Sequence, residues 1–308
     1  MTKIWNASRF VQMNLEGYEP GEPAAVTPED AWMLSRLARA VARATEQLET
    51  YAFGDYARET QSFFWGDVCD WYIELCKGRL LDGSAEEKLQ VQRNLVFVLD
   101  TCMRLLHPAM PFVTESVWDA LPASGLDAHD AQFLMVAAWP EPERYAGFVN
   151  DAAERDFELA KRVISCVRST RARYRLSPRA ELDVVVRCGA EDAAVLAGQE
   201  GFVRSVGHVG SFAAGADAEK PAGSVSVADG SLEIFVCVGD LVDLAAESAR
   251  LAKELARAEK DLAGVERTLA NEGFVAKAAP EVVEKKRAQA AELAATIEQL
   301  KAQIADFA

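Results

Sequence analysis

From Leu251 onward the apolar residues keep a strict spacing. Leu251, Leu255, Ala258, Leu262, Val265 and Leu269 follow one another at 4, 3, 4, 3 and 4 residues, and Ala290, Leu293, Ile297, Leu300, Ile304 and Phe307 at 3, 4, 3, 4 and 3. Alternation of 3 and 4 leaves one narrow apolar stripe on each helix, enough to pair with a single neighbour and too little for burial on several sides. Between the runs, Asn271, Gly273 and Pro280 interrupt the helix with residues that tolerate a left-handed backbone and one that lacks an amide proton. The spacing therefore predicts a two-helix antiparallel coiled-coil hairpin over 241–308. At roughly 1.5 Å per residue each arm runs about 30 Å or more, projecting from the rest of the chain.

Residues 1–147 read as a helical bundle. Trp5 to Met13 repeats apolar positions at helical spacing, and Thr27-Pro28-Glu29-Asp30 supplies an N-cap, a first-turn proline and early acids for a helix running to about Tyr51. A second long helix follows Gly54-Asp55, buries Phe63, Phe64, Val68, Trp71, Tyr72 and Leu75, and ends at Gly78 and Gly83. Ser84 and Glu87 have the form of a capping box for a helix to Leu106, and Pro108 and Pro111 stop that helix and start a shorter one. Residues 148–240 read as a small α+β connecting domain: a helix from Ala152 to Tyr174, a short helical stretch between Gly189 and Gly201, and strands at 182–188, 225–227 and 232–238. Asp229-Gly230 marks a hairpin between the last two. The fold class is mainly α.

Composition narrows the function. The 308 residues carry 33 Lys and Arg against 48 Asp and Glu, a net charge of −15 that argues at first sight against a nucleic-acid partner. The acid is unevenly spread: 1–150 hold 12 basic and 22 acidic side chains, 151–242 hold 11 and 14, and 243–308 hold 10 and 12. No apolar run approaches the roughly 18 residues of a membrane span, and Met1-Thr2-Lys3-Ile4-Trp5 does not open a secretory signal, so a cytoplasmic chain is expected. Cys69, Cys76, Cys102, Cys166, Cys188 and Cys237 contain no CxxC pair, and His107, His129 and His208 are dispersed, so neither a metal site nor a nucleophilic centre is spelled out. Cys69 and Cys76 read as small buried hydrophobes on one helix side, and His107 as a helix-end residue.

Three groups of residues could meet a polyanion. Between Lys161 and Arg179 stand seven basic residues, including Arg168, Arg171 and Arg175, and no acid. This stripe has the form of a phosphate-binding footprint, or equally of a solvated helix face paired with the acidic bundle. On the hairpin, Lys253, Arg257, Lys260 and Arg267 recur along the first helix, with Lys277, Lys285, Lys286 and Arg287 near the tip. Interleaved Glu254, Glu259 and Asp261 fit a plain coiled coil as well. In the first helix Asn6, Arg9 and Phe10 lie within about one and a half turns, an amide, a guanidinium and a ring of the kinds that read and stack unpaired bases. Phe10 has a competing reading as core, and Trp5 reads as core outright.

Four segments carry a family resemblance. Lys3-Ile-Trp-Asn-Ala-Ser-Arg-Phe-Val11, Phe63-Phe-Trp65 with Cys69-Asp-Trp-Tyr-Ile-Glu74, Leu105-Leu-His-Pro-Ala-Met-Pro-Phe-Val-Thr-Glu115, and Asn271-Glu-Gly-Phe-Val-Ala-Lys-Ala278 with Pro280-Glu-Val-Val-Glu284 resemble the C-terminal part of valyl-tRNA synthetases. The resemblance covers nearly the whole chain. Its first three motifs are shared with the isoleucine and leucine enzymes, and the hairpin motif is particular to the valine enzyme. It implies an anticodon-binding bundle, a connecting domain and an arm that leans on the outer corner of tRNA.

By position, the resemblance places Asn6, Arg9 and Phe10 on the anticodon-facing helix. It makes Lys253, Arg257, Lys260, Lys277, Lys285 and Lys286 backbone contacts and leaves Trp71 and Tyr72 to bundle packing; Arg168, Arg171 and Arg175 of the basic stripe are further candidate backbone contacts by charge. The HIGH-type and KMSKS-type motifs that hold ATP in the family do not occur, and its editing domain is absent. The expectation is a piece of a longer enzyme that lacks catalytic residues and does not aminoacylate alone. It needs no cofactor or metal itself, since ATP and Mg belong to the catalytic core of the parent. It binds valine-accepting tRNA as a monomer, with no DNA and no membrane partner. The alternatives are a coiled-coil scaffold that binds protein through its apolar seam, and the equivalent region of an isoleucine or leucine enzyme.

Overall fold

A computed structural model describes residues 2–125, 131–239, 241, 244–270 and 280–305. The chain divides into two compact units, 1–159 and 160–308. Its secondary structure is mainly helical, with one four-stranded sheet in the second unit.

The first unit is a helical bundle. Helices α1 (Thr2–Met13) and α2 (Pro28–Glu49) precede α3 (Phe53–Ser62), which continues through a π-helical stretch, Phe63–Tyr72, into α4 (Ile73–Asp82). Helix α5 (Ala85–Leu106) is the most deeply buried, and α6 (Pro111–Asp119) and the single turn α7 (Pro142–Tyr145) close the unit. The helix-start signals act as their chemistry requires. Thr27 caps α2 by accepting from the Asp30 amide with Pro28 in the first turn, and at α5 both halves of the Ser84–Glu87 capping box form. Buried Phe63, Phe64, Val68, Trp71 and Tyr72 line the widened π stretch, and Trp32 stacks on Phe157 with ring centroids 3.8 Å apart.

Gly78 does not end its helix as the sequence suggested; α4 runs on to Asp82, and Gly83 follows it. The reason lies one residue on. The Arg79 guanidinium grips the fully buried Asp30 carboxylate with two hydrogen bonds of 2.7 and 2.8 Å, and the Tyr72 hydroxyl donates to the same carboxylate at 2.8 Å. Two bonds from a planar fork fix the helical position of Arg79, and Leu80 beside it is buried. A glycine without a packing neighbour is carried along at a cost of about 1 kcal/mol.

Charged groups also tie α2 to the start of α8 (Asp151–Arg173), a helix that begins in the first unit. Glu154 accepts from the Ser35 hydroxyl and from Arg39 at 2.6 Å, and lies 3.5 Å from Arg36. Burial alone would raise the Glu154 carboxyl. The Ser35 hydroxyl and the Arg39 and Arg36 guanidinia outweigh it and hold the pKa below its ordinary value of 4.5. A depressed folded-state pKa contributes stability above the unfolded value and loses it as pH falls through the folded one. Glu154→Gln should therefore remove part of the acid limb of the stability profile. Variant and parent curves measured by urea unfolding should differ most near neutrality and approach each other as the pH falls through the lowered carboxyl pKa.

In the second unit a four-stranded sheet has the order β2-β1-β4-β3, from β1 (Leu182–Arg187), β2 (Val209–Gly215), β3 (Ser224–Asp229) and β4 (Leu232–Cys237). β3 and β4 form the hairpin around Asp229 and Gly230, where Gly230 takes the left-handed backbone that the two-residue turn requires (φ 58°). β1 pairs antiparallel with β4 and parallel with β2. The parallel pair is reached through α9 (Ala190–Gly198) and α10 (Glu200–Gly207), two helices where the sequence indicated one short stretch.

The chain ends in α11 (Leu244–Leu269) and α12 (Pro280–Ala305), of 26 residues each, about 39 Å long at 1.5 Å per residue. Leu251 and Ala258 of α11 cluster with Ile297 and Leu300 of α12, with Leu255, Leu262 and Ile304 packed against them. This pairing is antiparallel, and the 3/4 seam of one helix is filled by the other. Phe307 lies outside the described residues.

Candidate nucleic-acid interface

Helix α1 buries one stripe, Ile4, Ala7, Ser8 and Val11. A period of 3 and 4 on that stripe leaves the opposite side free, so Asn6 and Arg9 are exposed and Phe10 is half-buried. The Lys77 ammonium sits 5.9 Å from the Phe10 ring centroid, a cation over an aromatic face. The helix is held in place by Lys3, whose ammonium donates to the Trp65 carbonyl at 3.0 Å and pairs with Asp70 at 2.6 Å. Trp5 corrects the sequence reading. It stands outside the buried stripe with 49% of its surface exposed, on the side that carries Asn6 and Arg9. The structure thus brings Asn6, Arg9 and Phe10 onto one helix face and adds Trp5, which periodicity could have placed there: position 5 falls outside the 4, 7, 8, 11 stripe.

The seven basic residues of 161–179 do not act as one surface. Arg171 is buried, 7% exposed, and its guanidinium donates to the carbonyls of Gly207, Ala180 and His208 at 3.2, 2.9 and 3.3 Å. Burial, and then the charge of Arg168, draws its pKa below the ordinary value. Arg171 therefore ties the end of α8 to the turn before β2, and leaves the set of surface cations. Arg162 is engaged with Asp229, whose side chain it meets at 2.8 Å. Arg168, Arg173, Arg175 and Arg179 remain exposed. Arg168 reaches the Val206 carbonyl at 3.4 Å, and Arg175 occupies the left-handed region just past the helix end (φ 52°).

On the arm the charges segregate by side. Glu254, Glu259, Asp261 and Glu266 directly flank the α11 seam, whereas Lys253, Arg257, Lys260 and Arg267 succeed one another at 4, 3 and 7 residues along its outward side. All four cations are exposed. Rises of about 6 and 4.5 Å between the first three form a linear row, the arrangement a nucleic-acid backbone can follow. On α12, Lys285 is exposed and Lys286 donates to the Gln289 side chain at 3.0 Å. Lys277 lies outside the described residues, as does His129. His107 ends α5 and hydrogen-bonds Thr114 at 2.8 Å.

None of the six cysteines forms a disulfide, and Cys76 and Cys102 are buried, where desolvation pushes their thiols up. Among the described residues no group of three or more His, Cys, Asp or Glu is placed to hold a metal ion. No described helix is long and apolar enough to cross a membrane.

Comparison with known proteins gives this geometry a context. Residues 30–186 match the family model of the anticodon-binding domain of tRNA ligase, and residues 243–308 match that of the valyl tRNA synthetase tRNA binding arm. The chain is 38% identical over 298 residues to a valine–tRNA ligase of Geobacter sulfurreducens, covering 95% of this chain and 33% of that protein. It is 39% identical over 295 residues to one of Halalkalibacterium halodurans, covering 94% and 32%. It is 37% identical over 313 residues to one of Lactiplantibacillus plantarum, covering 100% and 34%. The chain spans about a third of the length of the curated relatives it matches.

Proposed function

Because this chain belongs to the family of anticodon-binding domains of tRNA ligases, we propose that it is the tRNA-recognising part of a valine–tRNA ligase. In this reading 1–147 take the anticodon loop, 148–240 connect, and 241–308 lean on the outer corner of tRNA. The observation that carries it is the outward row Lys253, Arg257, Lys260 and Arg267, set apart from the seam acids in a segment similar to a tRNA binding arm. Such a row neutralises phosphates without reading sequence; Asn6, Arg9 and Phe10 supply groups able to discriminate bases. Arg168 and Arg175 join as further backbone contacts, and Lys277, Lys285 and Lys286 serve the tip.

The activity of the whole ligase, joining valine to tRNA with ATP and Mg, is assigned to the HIGH-type and KMSKS-type motifs that this sequence lacks. The residues here act by holding the substrate, as a cytoplasmic monomer without a cofactor of its own. Valine rather than isoleucine or leucine is supported by the arm. A protein-binding scaffold loses its main support, since the apolar seam is occupied by the chain's own second helix.

Arg9→Ala should reduce the preference for valine tRNA over a copy with an exchanged anticodon by about tenfold, the worth of one charged hydrogen bond. It should leave the salt dependence almost unchanged. Filter binding of both RNAs over a salt series measures the two effects separately. An Arg9→Ala protein that keeps its full preference would remove Arg9 from the site.

A further inference from the structure

We propose that Trp5 is a stacking platform for one unpaired base of the anticodon loop, a specificity element beside Asn6 and Arg9. The inference rests on the tRNA-recognition reading above and deepens it.

The starting point is a residue the fold does not use. Ile4, Ala7, Ser8 and Val11 bury α1, and each is at most 5% exposed. Trp5 contributes little to that interface: 49% of its surface meets solvent, and among the described residues its indole has no ring or hydrogen-bond partner. Leaving an indole half in water forgoes the burial that a bundle position offers, and the tryptophans of the bundle core, Trp32, Trp71 and Trp118, are at most 9% exposed.

Its neighbours decide what kind of partner fits. One helical step and one helical turn from Trp5 stand Asn6 and Arg9, both exposed, and Phe10 adjoins them. An apolar protein surface would meet an amide and a guanidinium at the centre of such a patch and leave them to be desolvated. An unpaired nucleobase satisfies all of them: its face covers the indole, its edge hydrogen-bonds an amide, and its phosphate meets the guanidinium. Phe10 is less free for the same task, being half-buried with the Lys77 ammonium 5.9 Å from its ring centre. The other exposed aromatics lack this setting. Tyr51 and Phe53 pack edge-on against each other at 5.9 Å, Phe112, 89% exposed, adjoins Pro111 and Val113, and Phe133, 51% exposed, directly precedes the buried Leu134 with no lysine or arginine within a helical turn of it in the sequence.

The test uses the full chain with whole valine tRNA and with its isolated anticodon stem–loop. Trp5→Ala should weaken binding of both RNAs by roughly five- to a hundredfold, the range for loss of one base–aromatic stack, and Trp5→Phe should weaken it less. The RNA should quench a component of the parent's tryptophan emission that is absent from Trp5→Phe. Because the indole is largely outside the core, the thermal unfolding midpoints of both variants should stay within a few degrees of the parent. Unchanged affinity and unchanged quenching in the variants, with the parent binding RNA, would overturn the role of Trp5 and leave the tRNA reading standing. A parent chain that binds neither RNA would overturn the tRNA reading and the proposal together.

Discussion

Asp100→Ala is expected to destabilise the helical bundle by about 3–5 kcal/mol, a large share of the stability of a domain this size. Asp100 is 1% exposed. One carboxylate oxygen accepts from Arg104 Nε at 3.0 Å, and the other accepts from Trp118 Nε1 at 2.6 Å. Arg104, 4% exposed, also donates to the Ala138 carbonyl at 2.8 Å and lies over the Trp118 ring at 5.6 Å. Deleting the carboxylate takes the counter-charge from a buried guanidinium and an acceptor from a buried indole at once. That is the situation in which a buried ion pair costs most. Asp100→Asn keeps an acceptor of the same shape and should lose less. Urea unfolding followed by far-ultraviolet circular dichroism measures both. A shift below about 1 kcal/mol for the alanine variant would contradict the network's role in the fold.

The second large effect is expected on the arm. Lys253→Ala, Arg257→Ala and Lys260→Ala together should lower tRNA affinity on the order of a hundredfold at about 0.1 M salt. They should also reduce the slope of log K against log salt by about 2 to 3, the contribution of three neutralised phosphates. The loss should be equal for tRNAs of every anticodon, because a backbone carries no sequence information. All three side chains are exposed, and alanine is the better helix former, so the arm itself should persist. An unaltered salt slope would show that the cation row does not meet RNA. The Arg9 and arm variants would therefore separate the two proposed functions within one chain, discrimination at α1 and affinity at α11.

How much of this was legible in advance follows from how local each determinant is. The arm was readable because its only requirement is a seam, and a seam is written directly as 3/4 spacing. The capping box at Ser84 and the Asp229-Gly230 turn were readable for the same reason, each being settled by residues a few positions apart. β2 was not: Gly210, Ala213, Ala214 and Gly215 have weak strand preference, and the segment is a strand because β1 lies alongside it. Arg171 read as one more cation in a basic run, although its place is fixed by the carbonyls of Gly207 and His208, distant in sequence, and by that of Ala180 beyond the helix end. The continuation of α4 through Gly78 depends on Asp30, and the π-helical stretch at Phe63–Tyr72 has no signature in composition or periodicity. In α1 the residue types of the site were legible as chemistry. The exposure of Trp5 runs against the general preference of tryptophan for burial and follows from the 4, 7, 8, 11 stripe, which excludes position 5.

Recognition of one tRNA through its anticodon is the proposed role of this chain. The most direct test is a mobility shift of the chain at about 0.1 M salt against transcribed valine tRNA and against the same transcript with an exchanged anticodon. Both should be retarded, through the arm, and the valine transcript should be bound more tightly, through the bundle. Equal retardation of the two transcripts, or none, would contradict that role.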